Sequence, residues 1–250
     1  MLIFIVPVYN EEENIKKLLE CTRRFAEEGH FDYQIIVVND GSVDGTMQIL
    51  KGFQEEIPLV VLDQVSNKGV GEAFKRGFAY VAEIATDEDI IISKEADNTS
   101  DLSVLSEMIN KLNMGYDLVL ASCYLEGGGV EGTAVHRKLL SFCANLLLRI
   151  TTPLKDIHTF SSFYRVYRAS LIKKACEIYG DTLIQEKGFS CMVELLLKLA
   201  KLRIKIAEVP MSLQGNLRVG KSKMKTLDTT IGFLRLIVRN LLTRQTDNKL

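Results

Sequence analysis

Tryptophan is absent from these 250 residues, proline occurs four times and histidine three. So little proline beside 47% hydrophobic and 25% charged residues excludes collagen-like and low-complexity disordered chains. It leaves a globular composition with enough apolar side chain for a sizeable core. The five cysteines, Cys21, Cys123, Cys143, Cys176 and Cys191, are odd in number and form no C-x-x-C pair. A disulfide framework and a cysteine zinc site are therefore not expected, and a reducing, cytoplasmic setting is. No hydrophobic run reaches the roughly twenty residues of a spanning helix. The apolar start, Met1 to Val8, breaks at Tyr9 and Asn10 with no basic leader or cleavage site, and reads as a strand. No Pro/Gly/Ser-rich linker divides the chain into two domains.

A net charge of −1 conceals an asymmetry. Residues 203–250 hold ten Lys/Arg and three Asp/Glu, which leaves 21 and 29 of the totals of 31 and 32 in residues 1–202. A basic last fifth behind an acidic body points to an anionic partner there, phosphate groups or a membrane surface, unless it is a solvated tail.

Short apolar runs, Leu2 to Val8, Tyr33 to Val38, Leu59 to Leu62, Asp89 to Ile92 and Asp117 to Ala121, read as buried parallel strands. Helical patterns near 12–28, 44–53, 70–85 and 101–113 alternate with them. This alternation predicts a doubly wound α/β sheet with ligands beyond the carboxyl ends of its strands. The second half predicts helices at 136–150, 170–178 and 188–201, strands near 161–167 and 204–209, and a final helix from about 224 to 243. On that helix Leu227, Ile231, Leu234, Val238 and Leu241 share a face, with Asp228, Arg235 and Arg239 on the other. Such a helix either lies on a membrane or docks against the core or a second subunit.

Four strand ends carry polar clusters. Pro7-Val8-Tyr9-Asn10-Glu11 follows the first strand, and Asn39-Asp40-Gly41-Ser42-Val43-Asp44-Gly45-Thr46 the second. There Asp40 can accept from nucleobase or ribose donors, and Asp44 can cap the following helix. Asn67-Lys68-Gly69-Val70-Gly71 opens the third helix, where glycines, helix-end amides and Lys68 suit a phosphate. Phe74 stands where a dinucleotide fingerprint needs its third glycine. Ser93-Lys94-Glu95-Ala96-Asp97-Asn98-Thr99 ends the fourth strand, and its two carboxylates can converge on one Mg²⁺ or Mn²⁺ bridging a diphosphate.

The ordered series PVYNEEENI, VVNDGSVDGT, NKGVGEAFKRGF, EAD, SCYLEGGG and GKSKM, from about Leu2 to Lys225, resembles family 2 glycosyltransferases of the GT-A fold. Within them it is most similar to the polyprenyl-phosphate sugar transferases. The resemblance implies an α/β, Rossmann-like mixed sheet flanked by helices in a transferase domain of residues 1–225, with an amphipathic helix and tail in 226–250. It implies that Pro7, Tyr9, Glu11, Val38, Asp40, Lys68 and Ala96 hold a nucleotide-sugar donor, and that Glu95, Asp97 and Thr99 hold Mg or Mn. Arg137 and Ser141 would meet the acceptor phosphate, Arg218 and Lys223 would close over both phosphates, and Asp156 would face the sugar. The chain departs from the family pattern at Glu95, usually Asp, at Cys123, usually Arg, and at Ser162, usually Gly. The segment from Arg218 to Lys223 is also one residue shorter than is typical.

The chemistry favours a polyprenyl phosphate acceptor on its own account. Inverting transfer to a hydroxyl needs a general base, whereas a phosphate monoester is already an anionic nucleophile. His30, His136 and His158 read as structural or solvated, while Arg218, Lys221, Lys223 and Lys225 supply cations. Gly215 to Ser222 matches the phosphate-loop pattern GxxxxGK[ST], but the strand before it ends at Pro210 and only 28 residues follow. No nucleic-acid partner is expected. The last helix leaves open peripheral contact with the cytoplasmic face of a membrane, self-association, or docking on the core alone. Two alternatives remain: a transferase acting on a saccharide hydroxyl with Asp156 as base, and a catalytically weak nucleotide-sugar-binding protein.

Overall fold

Six of the seven residues of β1 (Leu2–Val8) are buried, so this strand must be covered on both faces. In the computed structural model it lies near the centre of a sheet that continues, in chain order, through β2 (Tyr33–Asn39), β3 (Leu59–Asp63), β4 (Ile90–Ser93) and β5 (Leu118–Ser122). The helices α1 (Ile15–Glu28), α2 (Thr46–Phe53), α3 (Val70–Ile84) and α4 (Leu105–Asn113) connect these strands. Next come β6 (Gly129–Glu131), α5 (Val135–Thr151), β7 (Arg165–Arg168), α6 (Ala169–Tyr179) and α7 (Cys191–Ala200). The chain then runs through β8 (Ile206–Pro210) and β9 (Ser212–Gln214) into α8 (Thr226–Asp247). The structure describes residues 1–220, 223 and 226–247. Lys221, Ser222 and Lys225 of the basic segment lie outside the described residues, as do the side chains of Leu227 and Leu241.

The seven-stranded sheet has the order β3-β2-β1-β4-β7-β5-β8. β1, β2, β3 and β4 are parallel, with Phe4 opposite Ile35 and Ile92. β7 runs antiparallel between β4 and β5, and makes the sheet mixed. On one face α1, α2 and α4 pack Leu18, Leu19, Leu50 and Met108 over Phe4. On the other, α3, α6, α7 and α8 enclose Phe74, Phe78, Ile172, Leu196 and Phe233. There Phe163 and Tyr167 meet Phe74 and Phe78 edge-on, with centroids 5.3 and 5.5 Å apart.

Every strand and helix expected from the apolar patterning is present, displaced by a few residues at the ends. β6 and β9 are not foreshadowed. They are three residues each and pair in parallel away from the main sheet, too short for an alternating pattern to register. The phosphate-loop pattern begins in a short 3₁₀ turn, Gly215–Leu217, directly after β9, and its Lys221 and Ser222 lie outside the described residues. The final helix docks through Phe233, Leu236 and Ile237, and leaves Ile231, Leu234 and Val238 exposed. Among the described residues no helix is long and apolar enough to cross a membrane.

Candidate active site

The loops at the carboxyl ends of β1 and β2 interlock. The Asn10 amide donates to Ser42 Oγ at 2.9 Å, the Glu11 amide to Thr46 Oγ1 at 2.8 Å, and the Val43 amide to Asn10 Oδ1 at 2.8 Å. Asp44 Oδ1 accepts the Thr46 amide at the start of α2, as expected. Asp40, 3% exposed, receives the amides of Lys68 at 2.8 Å and Gly69 at 2.9 Å, one on each carboxylate oxygen. Burial outweighs those two bonds and raises its pKa. Each oxygen keeps a further lone pair toward the cavity that the residue lines.

This geometry corrects the expectation for the third loop. The amides of Lys68 and Gly69 are spent on Asp40, and that of Gly71 on the Lys187 carbonyl at 2.9 Å. They are not held open for a phosphate. Gly71 is needed because a Cβ there would lie 1.8 Å from the Glu186 carbonyl oxygen, so the glycines admit the 186–188 segment instead. The exposed Lys68 side chain is not part of the cavity wall.

Beyond β4 the chain turns acidic. Glu95, Asp97 and Thr99 line the cavity, and Thr99 donates its hydroxyl to Asp97 Oδ1 at 2.7 Å. Burial, reinforced by the neighbouring Asp97 charge, raises the Glu95 pKa, while Ser100 Oγ donates to its carboxylate at 3.2 Å. Two carboxylates and a hydroxyl are hard oxygen donors, and their mutual repulsion is the kind that a divalent cation relieves, so these residues fit Mg²⁺ or Mn²⁺. Among the described residues no cluster of three or more His, Cys, Asp or Glu forms a self-sufficient metal cage. Beneath the loop, Lys94 is 2% exposed, donates to the Ser100 carbonyl and stands 4.9 Å over the Tyr164 ring. Burial lowers its pKa.

The segment after β9 crosses this opening as a strap. Arg218 donates to Asp97 Oδ2 through Nε at 2.8 Å and through Nη2, and Lys223 donates to the Asn10 carbonyl at 2.6 Å and to the Glu11 carboxylate. Asn14, 3% exposed, clasps the strap by its amide: Nδ2 donates to the Val219 carbonyl at 3.0 Å and Oδ1 accepts the Val219 amide at 3.1 Å. Asn14 lies within PVYNEEENI, but a side chain that reads a strap some two hundred residues away leaves no local signal.

The strap roofs a cavity of about 1340 Å³. Of the expected residues, Pro7, Tyr9, Glu11, Asp40, Glu95, Ala96, Asp97 and Thr99 line it, with Arg137 and Ser141 from α5 and Arg218 and Lys223 from the strap. Cys123 and Ser162, two of the departures, are in its wall as well. Three expected residues are not brought there. Val38 is wholly buried in β2, Lys68 contributes its backbone alone, and Asp156 is exposed outside the lining. Glu208, which the sequence did not single out, holds the segment after Asp156 by accepting the amides of His158 and Thr159, each at 2.8 Å. Glu186, also unforeseen, lines the cavity, accepts Ser190 Oγ at 2.8 Å and pairs with Arg235 of α8.

A nucleotide-sized cleft over the carboxyl ends of a mixed α/β sheet, with an acidic turn after the fourth strand, is the architecture of a GT-A glycosyltransferase. The chain belongs to glycosyl transferase family 2, whose model matches residues 3–175. It is 30% identical over 237 residues to the dolichol-phosphate mannosyltransferase of Pyrococcus furiosus, a match that takes in 94% of this chain but 62% of that relative's length. It is 27% identical over 224 residues to the polyprenol monophosphomannose synthase of Mycolicibacterium smegmatis, covering 89% of this chain and 80% of the relative. Glucosyl-3-phosphoglycerate synthase from Mycobacterium tuberculosis, solved with Mn²⁺, UDP-glucose and phosphoglyceric acid, shares the fold at a TM-score of 0.64. That likeness spans 98% of this chain and 79% of the other at 20% identity.

Proposed function

We propose that this protein transfers a sugar from a nucleoside diphosphate sugar to a polyprenyl phosphate, with inversion at the anomeric carbon. The observation that carries the reading is the gathering, in one cavity, of the Glu95–Asp97 acidic turn with the cations Arg137, Arg218 and Lys223. Pro7, Tyr9, Glu11 and Asp40 bind the nucleoside at the ends of β1 and β2. Glu95, Asp97 and Thr99 hold Mg²⁺ or Mn²⁺, which when bound neutralises charge on the diphosphate.

Arg137 and Ser141 orient the acceptor phosphate. One of its oxygens, already anionic at neutral pH, forms the new bond to the anomeric carbon while the bond to the donor diphosphate breaks, and the electron pair leaves with the nucleoside diphosphate. No proton has to be removed, so positioning by cations suffices. Arg218 and Lys223 exchange their carboxylate partners, Asp97 and Glu11, for phosphate oxygens as the strap closes on substrate. The names of the two curated relatives support this acceptor class. Transfer to a saccharide hydroxyl is less well supported, because Asp156 stands exposed and outside the cavity.

The test is transfer of labelled sugar into an organic-extractable lipid phosphate. Asp97→Asn should abolish it with the fold intact by circular dichroism, and full activity in that variant would overturn the metal assignment. Donor binding without turnover on any lipid phosphate would replace the transferase reading with that of a nucleotide-sugar-binding protein.

A further inference from the structure

The residue that opens the acidic turn after β4 is a cation, and it is buried. The Lys94 amide donates to the Ile5 carbonyl of β1 at 3.1 Å, and its Nζ donates to the Ser100 carbonyl, so the side chain reaches from the start of the turn to its end. The ring of Tyr164, itself wholly buried, lies under the ammonium with its centroid 4.9 Å away. The charges of Glu95, Asp97 and Asp101 act on Lys94. Burial lowers its pKa, and these acids oppose that shift. An aromatic face, a carbonyl and nearby carboxylates are the surroundings an ammonium needs inside a protein.

Lys94 is not alone. Arg165 stands opposite Ser93 in the register of β4 and β7, is wholly buried, and feels the Glu95 charge. Both cations donate to backbone carbonyls instead of closing on a carboxylate, Lys94 to Ser100 and Arg165 to Ser162 and Phe160. From the strap, Arg218 pairs with Asp97. Glu95 and Asp97 thus stand among three cations. A turn so compensated has little net charge with which to hold a bare divalent ion, and the cations oppose its entry. A nucleoside diphosphate changes the balance, because its oxygens bring negative charge into the cavity and compete with Asp97 for Arg218. Of the three cations, Lys94 is the one bonded to the turn's own backbone. Glu95 depends on it too, since Lys94 fixes the backbone of Ser100, whose Oγ donates to Glu95 at 3.2 Å. We infer that Lys94 is a resident counter-cation of the β4 turn, a positioning residue whose charge keeps bare divalent metal out and makes metal uptake depend on the diphosphate. The inference rests on the proposed metal role of Glu95 and Asp97.

Equilibrium dialysis of the full chain against Mn²⁺, alone and with UDP, GDP or CDP, tests it by metal analysis and needs no turnover. Wild type should hold Mn²⁺ at least about tenfold more tightly with one of the nucleotides than without any. Lys94→Met, similar in size but uncharged, and Lys94→Gln, which keeps a donor for the Ser100 carbonyl, should each bind bare Mn²⁺ about tenfold more tightly than wild type. A purely structural lysine predicts the reverse, because a loosened turn binds metal more weakly. Circular dichroism checks that the variants fold; if Lys94→Met does not, Lys94→Gln and the wild-type contrast decide. Bare Mn²⁺ held no more tightly by folded variants, or held by wild type as well without nucleotide as with it, would overturn the inference and leave the metal assignment standing. Mn²⁺ retained under none of these conditions would overturn the metal assignment, and the inference with it.

Discussion

Cys123 shows how a residue's surroundings set its chemistry. It lines the cavity, and burial pushes its thiol up to about 11. At neutral pH it is a protonated, poorly nucleophilic thiol. Cys143 on α5 is exposed. Iodoacetamide at neutral pH should therefore modify Cys143 well before Cys123. Modification of Cys123 should accelerate about tenfold per pH unit toward 11, as the thiolate fraction grows. Peptide mapping by mass spectrometry reads both, and rapid modification of Cys123 at neutral pH would contradict the burial argument. Asp40 is a residue whose two roles separate on mutation. Asp40→Ala strands the Lys68 and Gly69 amides, at a cost of about 2 kcal/mol in a denaturation experiment. Asp40→Asn keeps one acceptor oxygen and should cost less.

At the scale of elements, the start of α3 and the strap carry the site. Gly71→Ala would drive a methyl group into the Glu186 carbonyl, 1.8 Å from the ideal Cβ position, and neither partner is a flexible side-chain tip. The expected loss is about 2 kcal/mol or more, a fall of roughly 4–8 °C in Tm for a chain of this size. Gly52→Ala in α2, where nothing lies within 4 Å of the new methyl, should instead stabilise by about 0.5–1 kcal/mol. Calorimetry on the two variants would show opposite signs. Asn14→Ala removes the clasp on Val219 and should raise the donor KM more than it lowers kcat, since it holds the strap and touches no reacting atom. Sequence reading located these elements but not their contacts. Strand-helix alternation and the glycine-rich turns are local patterns, and they were legible. The Asn14–Val219 clasp and the approach of residues 186–187 to α3 join distant segments, so no window of sequence contains them.

For the whole molecule, the acidic body and basic last fifth resolve into one arrangement. The acidic turn after β4 sits under a basic strap, with Arg218 on Asp97 and Lys223 on Glu11, so the charges divided along the sequence meet across the cavity. The doubly wound sheet was legible because buried parallel strands read as continuous apolar runs. The insertion of β7 against the direction of its neighbours was not, because a four-residue strand carries no mark of its direction. The site was legible where a side chain lies at a strand end, as at Asp40 and Asp97. It was not at Asp156, whose loop is held by Glu208 with that carboxylate left outside.

The central claim is that the β4 turn binds a nucleoside diphosphate through a divalent cation. Thermal-shift titration with UDP, GDP and CDP, each with and without Mn²⁺, tests it most directly. A rise in melting temperature that requires Mn²⁺, is confined to one nucleotide and disappears in Asp97→Asn is the predicted result. No stabilisation by any of the three, or stabilisation indifferent to both Mn²⁺ and Asp97, would contradict it.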